Sequence, residues 1–194
     1  MVAILAGVAS FLVAFTFDFV SIKRLPFAKQ AVVIIVVGLQ AYAIFAACWD
    51  ISRFWLPVYI TVIAWILLPL WGLLLLYSLV LELPIADTYS RPGVGRNLVT
   101  KGTYALVRHP GVIWYILALV TLLIACRSKV LLIAVPVWAA LDVLHVYVQD
   151  RFLFPRMFSD YLQYQKRTPM LFPTISSIKA CIGTFGRQMQ PPNT

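Results

Sequence analysis

The chain consists mainly of long apolar runs separated by short polar segments. A helix that crosses the hydrocarbon layer of a bilayer, about 30 Å thick, needs about 20 apolar residues. Five runs meet or approach this length: Val2 to Ile22, Ala31 to Trp49, Phe54 to Leu83, Gly111 to Cys126 and Val130 to Val148. The pattern therefore predicts an all-α, polytopic membrane protein of about five transmembrane helices.

Two of these runs have features of their own. The third is too long for one straight span and too short for two, so we expect it to tilt or to bend at Pro69. Only Arg127, Ser128 and Lys129 separate the fourth run from the fifth, which predicts a tight helical hairpin. The first run has no basic segment before it and no cleavage pattern after it, so we interpret it as a retained helix.

Composition agrees with this class of protein. The 194 residues are 62% hydrophobic and 12% charged, and the mean hydropathy of +0.89 exceeds that of soluble domains. The three cysteines, Cys48, Cys126 and Cys181, are widely spaced and form no CxxC or Cys/His cluster. This spacing argues against a metal site and against a disulfide framework.

The net charge is +9, and the basic residues that produce it are divided unevenly between the loops. With five crossings, one face carries only Arg53, Arg127 and Lys129, and the other face carries the remaining thirteen Lys and Arg residues. The positive-inside rule then places the C-terminus in the cytosol and the N-terminus outside it. This explains the basic excess without a nucleic-acid partner, and the short chain without sorting signals favours a bacterial inner membrane over the endoplasmic reticulum.

The chain divides into three predicted parts. Residues 1–83 form N-terminal transmembrane helices, and residues 84–173 form a core with a cytosolic loop, the helical hairpin and an amphipathic segment. Residues 174–194 form a polar tail that we expect to be frayed.

Polar side chains inside apolar helices are costly and need an explanation. Asp18 lies near the cytosolic end of the first run, where it is expected to extend towards Lys23 and Arg24. We regard this as a structural role and not as a sign of chemistry.

The fifth run carries Asp142, His145 and Gln149 at intervals of three and four residues, which places them on one helical face. One interpretation is the wall of a polar cavity that opens to the cytosol. The alternative is a hydrogen-bonded pair of Asp142 and His145 that locks this helix to a neighbour.

An ordered set of short motifs surrounds the hairpin. It comprises Leu98-Val99-Thr100-x-Gly102-x-Tyr104, then Arg108-His109-Pro110 before the hairpin, and Tyr161-x-x-Tyr164 and Arg167-x-Pro169 after it. In this order the motifs resemble the isoprenylcysteine carboxyl methyltransferase and phospholipid methyltransferase superfamily of integral membrane enzymes. The resemblance covers roughly residues 96 to 173.

The resemblance implies a site for S-adenosylmethionine at the cytosolic membrane face, with lipid substrate entering from the bilayer. Carried over by position, the cofactor-binding residues are Asn97, Leu98, Val99, Tyr104, His109, Pro110, Gly111, Gln149 and Asp150. The last two occupy the positions of adjacent glutamates in the family, and His145 occupies the position of a family arginine that is associated with substrate. We expect His145, Asp142 and Arg108 in catalytic roles, and His145, Arg151 and Arg167 at the substrate.

The function that these residues favour is transfer of a methyl group from S-adenosylmethionine to a lipid-like or small apolar acceptor. O-methylation of an isoprenylcysteine-type carboxylate is the reaction that the resemblance favours, and a phospholipid amine, a small thiol or a quinone-like lipid stays open as acceptor. A carboxylate or a thiolate needs little base assistance, whereas an amine or a phenol would use His145 as base. Two alternatives remain open. One is a non-catalytic membrane relative, and the other is an isoprenoid or sterol reductase with a nicotinamide cofactor.

Overall fold

The computed structural model describes residues 1–23, 25, 27–83 and 98–188, with the backbone alone for 185–188. Regular secondary structure in these ranges is helical, which confirms the predicted all-α fold. The helices are α1 (Val2–Lys23), α2 (Ala28–Trp49), α3 (Val58–Leu76), α4 (Thr103–Leu106), α5 (Pro110–Cys126), α6 (Lys129–Val148), α7 (Phe154–Met157), α8 (Tyr161–Arg167) and α9 (Ile175–Gln188).

Within the described ranges, four helical stretches are long and apolar enough to cross a membrane. They are Val2–Lys23, Ala28–Trp49, Val58–Leu81 and Lys129–Met157, whereas α5 is apolar but shorter, at 17 residues. Large apolar side chains such as Trp65 on α3 and Ile34 and Phe45 on α2 cover much of the outer surface. Because soluble monomers rarely expose such wide apolar surfaces, this surface fits contact with lipid.

Helix α6 lies at the centre of the bundle, in contact with α1, α2 and α5, and α3 packs on α5. Trp138 of α6 is fully buried, and its indole N–H donates to the Ile4 carbonyl over 3.3 Å. A Cβ at Gly7 would lie 2.1 Å from the indole Nε1, so the close approach of α1 to α6 requires glycine at position 7.

The two long helices α3 and α6 each end in one π-helical turn, Tyr77–Leu81 and Gln149–Leu153. Pro69 lies inside α3 and the helix continues through it, so the irregularity in this run falls at the π-helical turn, two turns beyond the proline. Such turns shift the side chains that follow them around the helix axis and are frequent at functional sites. The first turn contacts the short helix α4 through Ser78, and the second contacts α8 through Asp150.

The segment after residue 173 corrects the sequence interpretation, because α9 forms where we expected a frayed tail. This helix packs on α4 and buries Ser177 and Cys181. Ile175, Ile178 and Ile182 lie on another face and are exposed, an arrangement typical of a helix at a membrane surface. The helical spacing of these apolar residues was the signal that the polar composition obscured.

At one end of the bundle, the loop between α2 and α3 pairs with the turn between α5 and α6. The Phe54 N–H donates to the Arg127 carbonyl and the Lys129 N–H to the Ser52 carbonyl, each over 2.9 Å. Arg127 ends α5 in the left-handed conformation, with φ of 53°. We call this end, residues 47–57 and 126–129, the bridge end.

The contact of Gly7 with Trp138 gives a first test. Gly7→Ala should lower the melting temperature of the detergent-solubilised protein, because overpacking costs about 1–3 kcal/mol, more than the gain in helix propensity of up to about 1 kcal/mol. Gly38→Ala on α2 is the matched control, since nothing lies within 4 Å of a Cβ there. Equal melting temperatures for the two variants would contradict the described packing of α1 on α6.

Candidate functional site

A buried carboxylate organises the end of the bundle opposite the bridge end. Asp150 accepts two hydrogen bonds from the Arg108 guanidinium, from Nε at 2.7 Å and from Nη2 at 2.9 Å. The Tyr161 hydroxyl donates to it over 2.5 Å and the Gln165 side-chain amide over 3.1 Å. His109 Nε2 lies 3.3 Å from the same carboxylate. We call these five residues the Asp150 network.

Local chain geometry brings the members of this network together. Asp150 lies in the π-helical turn that follows α6, and Arg108 and His109 directly precede Pro110, which begins α5. The backbone N–H groups of Arg108 and His109 donate to the carbonyls of Pro169 and Met170, at 2.9 and 3.2 Å. The chain after α8 therefore runs alongside the start of α5.

The guanidinium of Arg108 is occupied on its remaining side as well. Its Nη1 donates to the backbone carbonyls of Gln165, at 3.2 Å, and Thr168. Burial lowers the pKa of Arg108, but the hydrogen bonds and charge of Asp150 outweigh burial and leave that pKa raised. Arg108, predicted as catalytic, thus lies largely buried as a cation with four hydrogen bonds to the protein.

The aromatic members of the network are neutral donors. Burial lowers the pKa of His109 despite the nearby carboxylate, so the ring is neutral near pH 7 and its proton is assigned to Nε2. Burial and the hydrogen bond to Asp150 raise the pKa of Tyr161, which keeps its hydroxyl protonated. The ion pair of Arg108 and Asp150 is therefore the charged part of a network of otherwise neutral donors.

A second polar contact fixes the motif around Gly102. Glu82, directly after the π-helical turn of α3, accepts from the Thr103 N–H over 2.8 Å and from the Thr103 hydroxyl. Gly102 has φ of 61°, and a Cβ there would lie 1.7 Å from a Glu82 carboxylate oxygen. Glu82 was not among the predicted site residues, although an acidic residue at the end of an apolar run was an available signal.

Further contacts surround the same motif, most of them at Ser78 in the π-helical turn after α3. Ser78 accepts from the Trp114 indole over 3.0 Å and lies 3.1 Å from the Thr103 hydroxyl. The Tyr104 hydroxyl donates to the Ser78 carbonyl over 3.2 Å, and the Tyr164 hydroxyl donates to the Tyr104 carbonyl over 2.5 Å. The predicted cofactor residue Tyr104 thus has both its hydroxyl and its carbonyl in internal contacts.

Asp18 corrects another prediction. It is buried and accepts from the Gln149 amide, at 2.9 and 3.1 Å, and it lies 3.3 Å from His145 Nε2. Phe15 packs on the His145 ring with centroids 4.7 Å apart. The expectation that Asp18 extends towards Lys23 and Arg24 was wrong: its carboxylate points to α6, and Arg24 lies outside the described residues.

The polar face of α6 therefore packs against α1. Asp142, His145 and Gln149 do lie on one face. His145, however, contacts Asp18 on α1, and not Asp142 as the alternative interpretation had it. Asp142 interacts electrostatically with His145 and with Tyr115 of α5. This face therefore packs against Asp18 of α1 and does not line the polar cavity that the sequence suggested.

The opposite flank of α6 borders an open apolar groove of about 520 Å³. Its lining residues are Ala139, Ala140, Val143, Leu144, Tyr147, Met170 and Leu171. At 3.6 residues per turn, the lining residues Ala140, Leu144 and Tyr147 face away from Asp142, His145 and Gln149. Met170 connects the groove to the Asp150 network through the backbone bond with His109.

The remaining predicted site residues are distributed as follows. Leu98 and Val99 are half-buried, Pro110 is buried, and a Cβ at Gly111 would lie 3.1 Å from Leu79. Arg151 and Arg167, predicted at the substrate, are exposed. Asn97 lies outside the described residues.

Comparison with known proteins gives no match: no protein-family model, no curated protein and no solved structure corresponds to this chain.

The donor set can be compared with the cofactor that the sequence predicts. S-adenosylmethionine offers ribose hydroxyls and an ammonium, which carboxylates bind well. In the described part of the site, however, Asp150 is occupied by Arg108, Tyr161 and Gln165, and the amide of Gln149 is bound to Asp18. Gln149 and Asp150 therefore do not fit the anchoring role that the resemblance implies for them.

The contact between Gln149 and Asp18 gives a second test. Gln149→Glu should lower the melting temperature, because it replaces an amide donor with a second carboxylate, and a buried acceptor that loses its donor costs about 1–3 kcal/mol. The double variant with Asp18→Asn restores a donor and should be more stable than the single variant. Gln163→Glu, on the exposed side of α8, serves as control. A Gln149→Glu protein as stable as the parent would contradict this contact.

Proposed function

We propose that this protein is an integral membrane methyltransferase that uses S-adenosylmethionine and acts on a lipid-like or small apolar acceptor. The observation that carries the proposal is the convergence of the sequence motifs. Arg108 and His109, Asp150, Tyr161 and the chain at Thr168 are up to 60 residues apart in sequence and meet in one buried network. Such convergence is what the order of the motifs requires if they form one site.

The proposed topology has five crossings, with the Asp150 network at the cytosolic face. Arg53, Arg127 and Lys129 gather at the bridge end, where the loop after α2 pairs with the turn after α5. The other basic residues on the described helices lie towards the opposite end or on α7 to α9. The two groups of basic residues that the positive-inside rule compares are therefore also separated from each other in the folded chain.

The apolar groove along α6 suits the hydrocarbon part of an acceptor. It is lined by apolar side chains, it lies on a helix of membrane-spanning length, and Met170 joins it to the Asp150 network. Exposed Arg151 and Arg167 are available for a carboxylate or phosphate on the acceptor. In this proposal Arg108 and Asp150 are positioning residues, which hold the end of α6 against the start of α5.

The geometry favours a carboxylate acceptor over an amine. His145, the predicted base, contacts Asp18 and Phe15 on the flank of α6 that faces away from the groove. A carboxylate is already ionised near neutral pH and needs no base, whereas an amine would need one. We therefore retain O-methylation of an isoprenylcysteine-type carboxylate as the favoured reaction.

One observation favours a second candidate, a membrane binding or accessory protein without transfer activity. Both positions that correspond to the family's acidic pair, Gln149 and Asp150, are engaged in internal hydrogen bonds. A protein that kept the fold and lost the chemistry would have this arrangement. Binding of the reaction product discriminates between the two candidates.

The third test is calorimetric titration of the detergent-solubilised protein with S-adenosylhomocysteine, which binds without turnover. We expect saturable binding with a dissociation constant in the micromolar range, lost in His109→Ala and retained in the exposed control Arg151→Ala. Melting temperatures of both variants establish that they are folded. Absence of binding up to millimolar concentration in the folded parent protein would favour the accessory protein, and a nicotinamide dinucleotide would then be titrated to test the reductase alternative.

The groove gives a fourth test. Ala140→Phe should fill it and raise the KM for an S-prenylated N-acetylcysteine several-fold, measured by transfer of a radiolabelled methyl group, while the affinity for S-adenosylhomocysteine stays unchanged. Leu132→Phe, on the exposed surface of the same helix outside the groove, should change neither value. Equal effects of the two variants on the KM would exclude the groove as the acceptor site.

A further inference from the structure

Two of the three cysteines meet at the bridge end. Cys48 lies in the last turn of α2, and Cys126 is the last residue of α5. Both side chains are free thiols in the structure, and they interact electrostatically with each other. Cys126 is buried in the apolar core, and Cys48 packs at its edge and is half-buried.

The backbone around both cysteines is held in place by one side chain. The guanidinium of Arg53 donates from Nη2 to the Cys48 carbonyl over 2.7 Å and from Nη1 to the Cys126 carbonyl. Because the guanidinium is a rigid fork, the two carbonyls must lie close together. The Ser128 hydroxyl adds a bond of 2.7 Å to the Ala47 carbonyl, so the residue before Cys48 is also tied to the turn after Cys126.

From this juxtaposition we propose that Cys48 and Cys126 form a disulfide that joins the end of α2 to the end of α5. The proposal is independent of methyl transfer and requires only that the bridge end faces an oxidising compartment. The distribution of basic residues predicts this orientation, and the bacterial periplasm and the lumen of the endoplasmic reticulum are both oxidising. The sequence argument against a disulfide rested on spacing, which says nothing about cysteines that the fold brings together.

The bond would form by thiol–disulfide exchange with a disulfide-bearing oxidant of that compartment. The half-buried Cys48, as thiolate, attacks one sulfur of the oxidant, which forms a mixed disulfide and releases one thiol. The Cys126 thiolate then attacks the Cys48 sulfur and releases the second thiol. The two protons lost by the cysteines are those gained by the two released thiols, and the oxidant is reduced by two electrons.

The third cysteine provides an internal reference. Cys181 lies on α9, which packs on α4 and so belongs to the opposite end of the bundle. It has no thiol partner among the described residues, and the orientation proposed above places it in the cytosol. We expect it to remain a free thiol in the protein as isolated.

The test counts free thiols in the full chain. Membranes are quenched with acid, and the protein is then denatured and alkylated with N-ethylmaleimide without reductant before its intact mass is measured. We expect one adduct, on Cys181, and three adducts after reduction, one for each cysteine. Three adducts without reduction would overturn the proposal.

Single serine variants assign the bond and do not depend on how stable each variant is. Cys181→Ser should give no adduct without reduction and two after it. Cys48→Ser and Cys126→Ser should each give two adducts in both conditions, because either change leaves its partner as a free thiol. The absence of any adduct in Cys48→Ser without reduction would show that Cys126 pairs with Cys181 instead, and would also overturn the proposal.

Discussion

The structure depends most on the buried ion pair between Arg108 and Asp150. A charge taken out of water without a partner costs several kcal/mol, so each of these residues makes the other necessary. Tyr161 and Gln165 donate further hydrogen bonds to the carboxylate, and the backbone carbonyls of Gln165 and Thr168 accept further hydrogen bonds from the guanidinium. One pair of side chains thereby holds together the segment before α5, the end of α6 and the segment around α8.

In the π-helical turn after α6, two adjacent residues make two different contacts. Gln149 faces α1 and binds Asp18, whereas Asp150 faces Arg108 and Tyr161. The end of α6 is therefore fixed on two sides, and the flank that stays open is the apolar groove. In the function proposed above, polar residues hold the framework and the groove receives the hydrocarbon of an acceptor. Asp150 is in that proposal a positioning residue instead of a cofactor ligand.

The sequence predicts which segments are helical, but it does not predict which of them contact each other. Apolar runs predict helices because the backbone in a bilayer must satisfy its own hydrogen bonds, and each of the five runs is helical over most of its length. Helical periodicity likewise placed Asp142, His145 and Gln149 on one face. It could not show that Asp18, 127 residues before His145, lies opposite that face, because helical spacing carries no information about contacts between distant segments. The proximity of Cys48 and Cys126 could not be predicted for the same reason. Helix α9 was not predicted because the polar composition of residues 174–194 obscured the helical spacing of its apolar residues.

A double-mutant cycle on Arg108 and Asp150 tests this account most directly. The free energy of unfolding in detergent is measured for the parent, Arg108→Gln, Asp150→Asn and the double variant. If the pair organises this end of the bundle, each single change leaves one buried charge unpaired, and the double variant loses far less than the sum of the two, with a coupling of about 2 kcal/mol or more. Losses that add to within about 0.5 kcal/mol would mean that the two residues act independently, and would contradict the account.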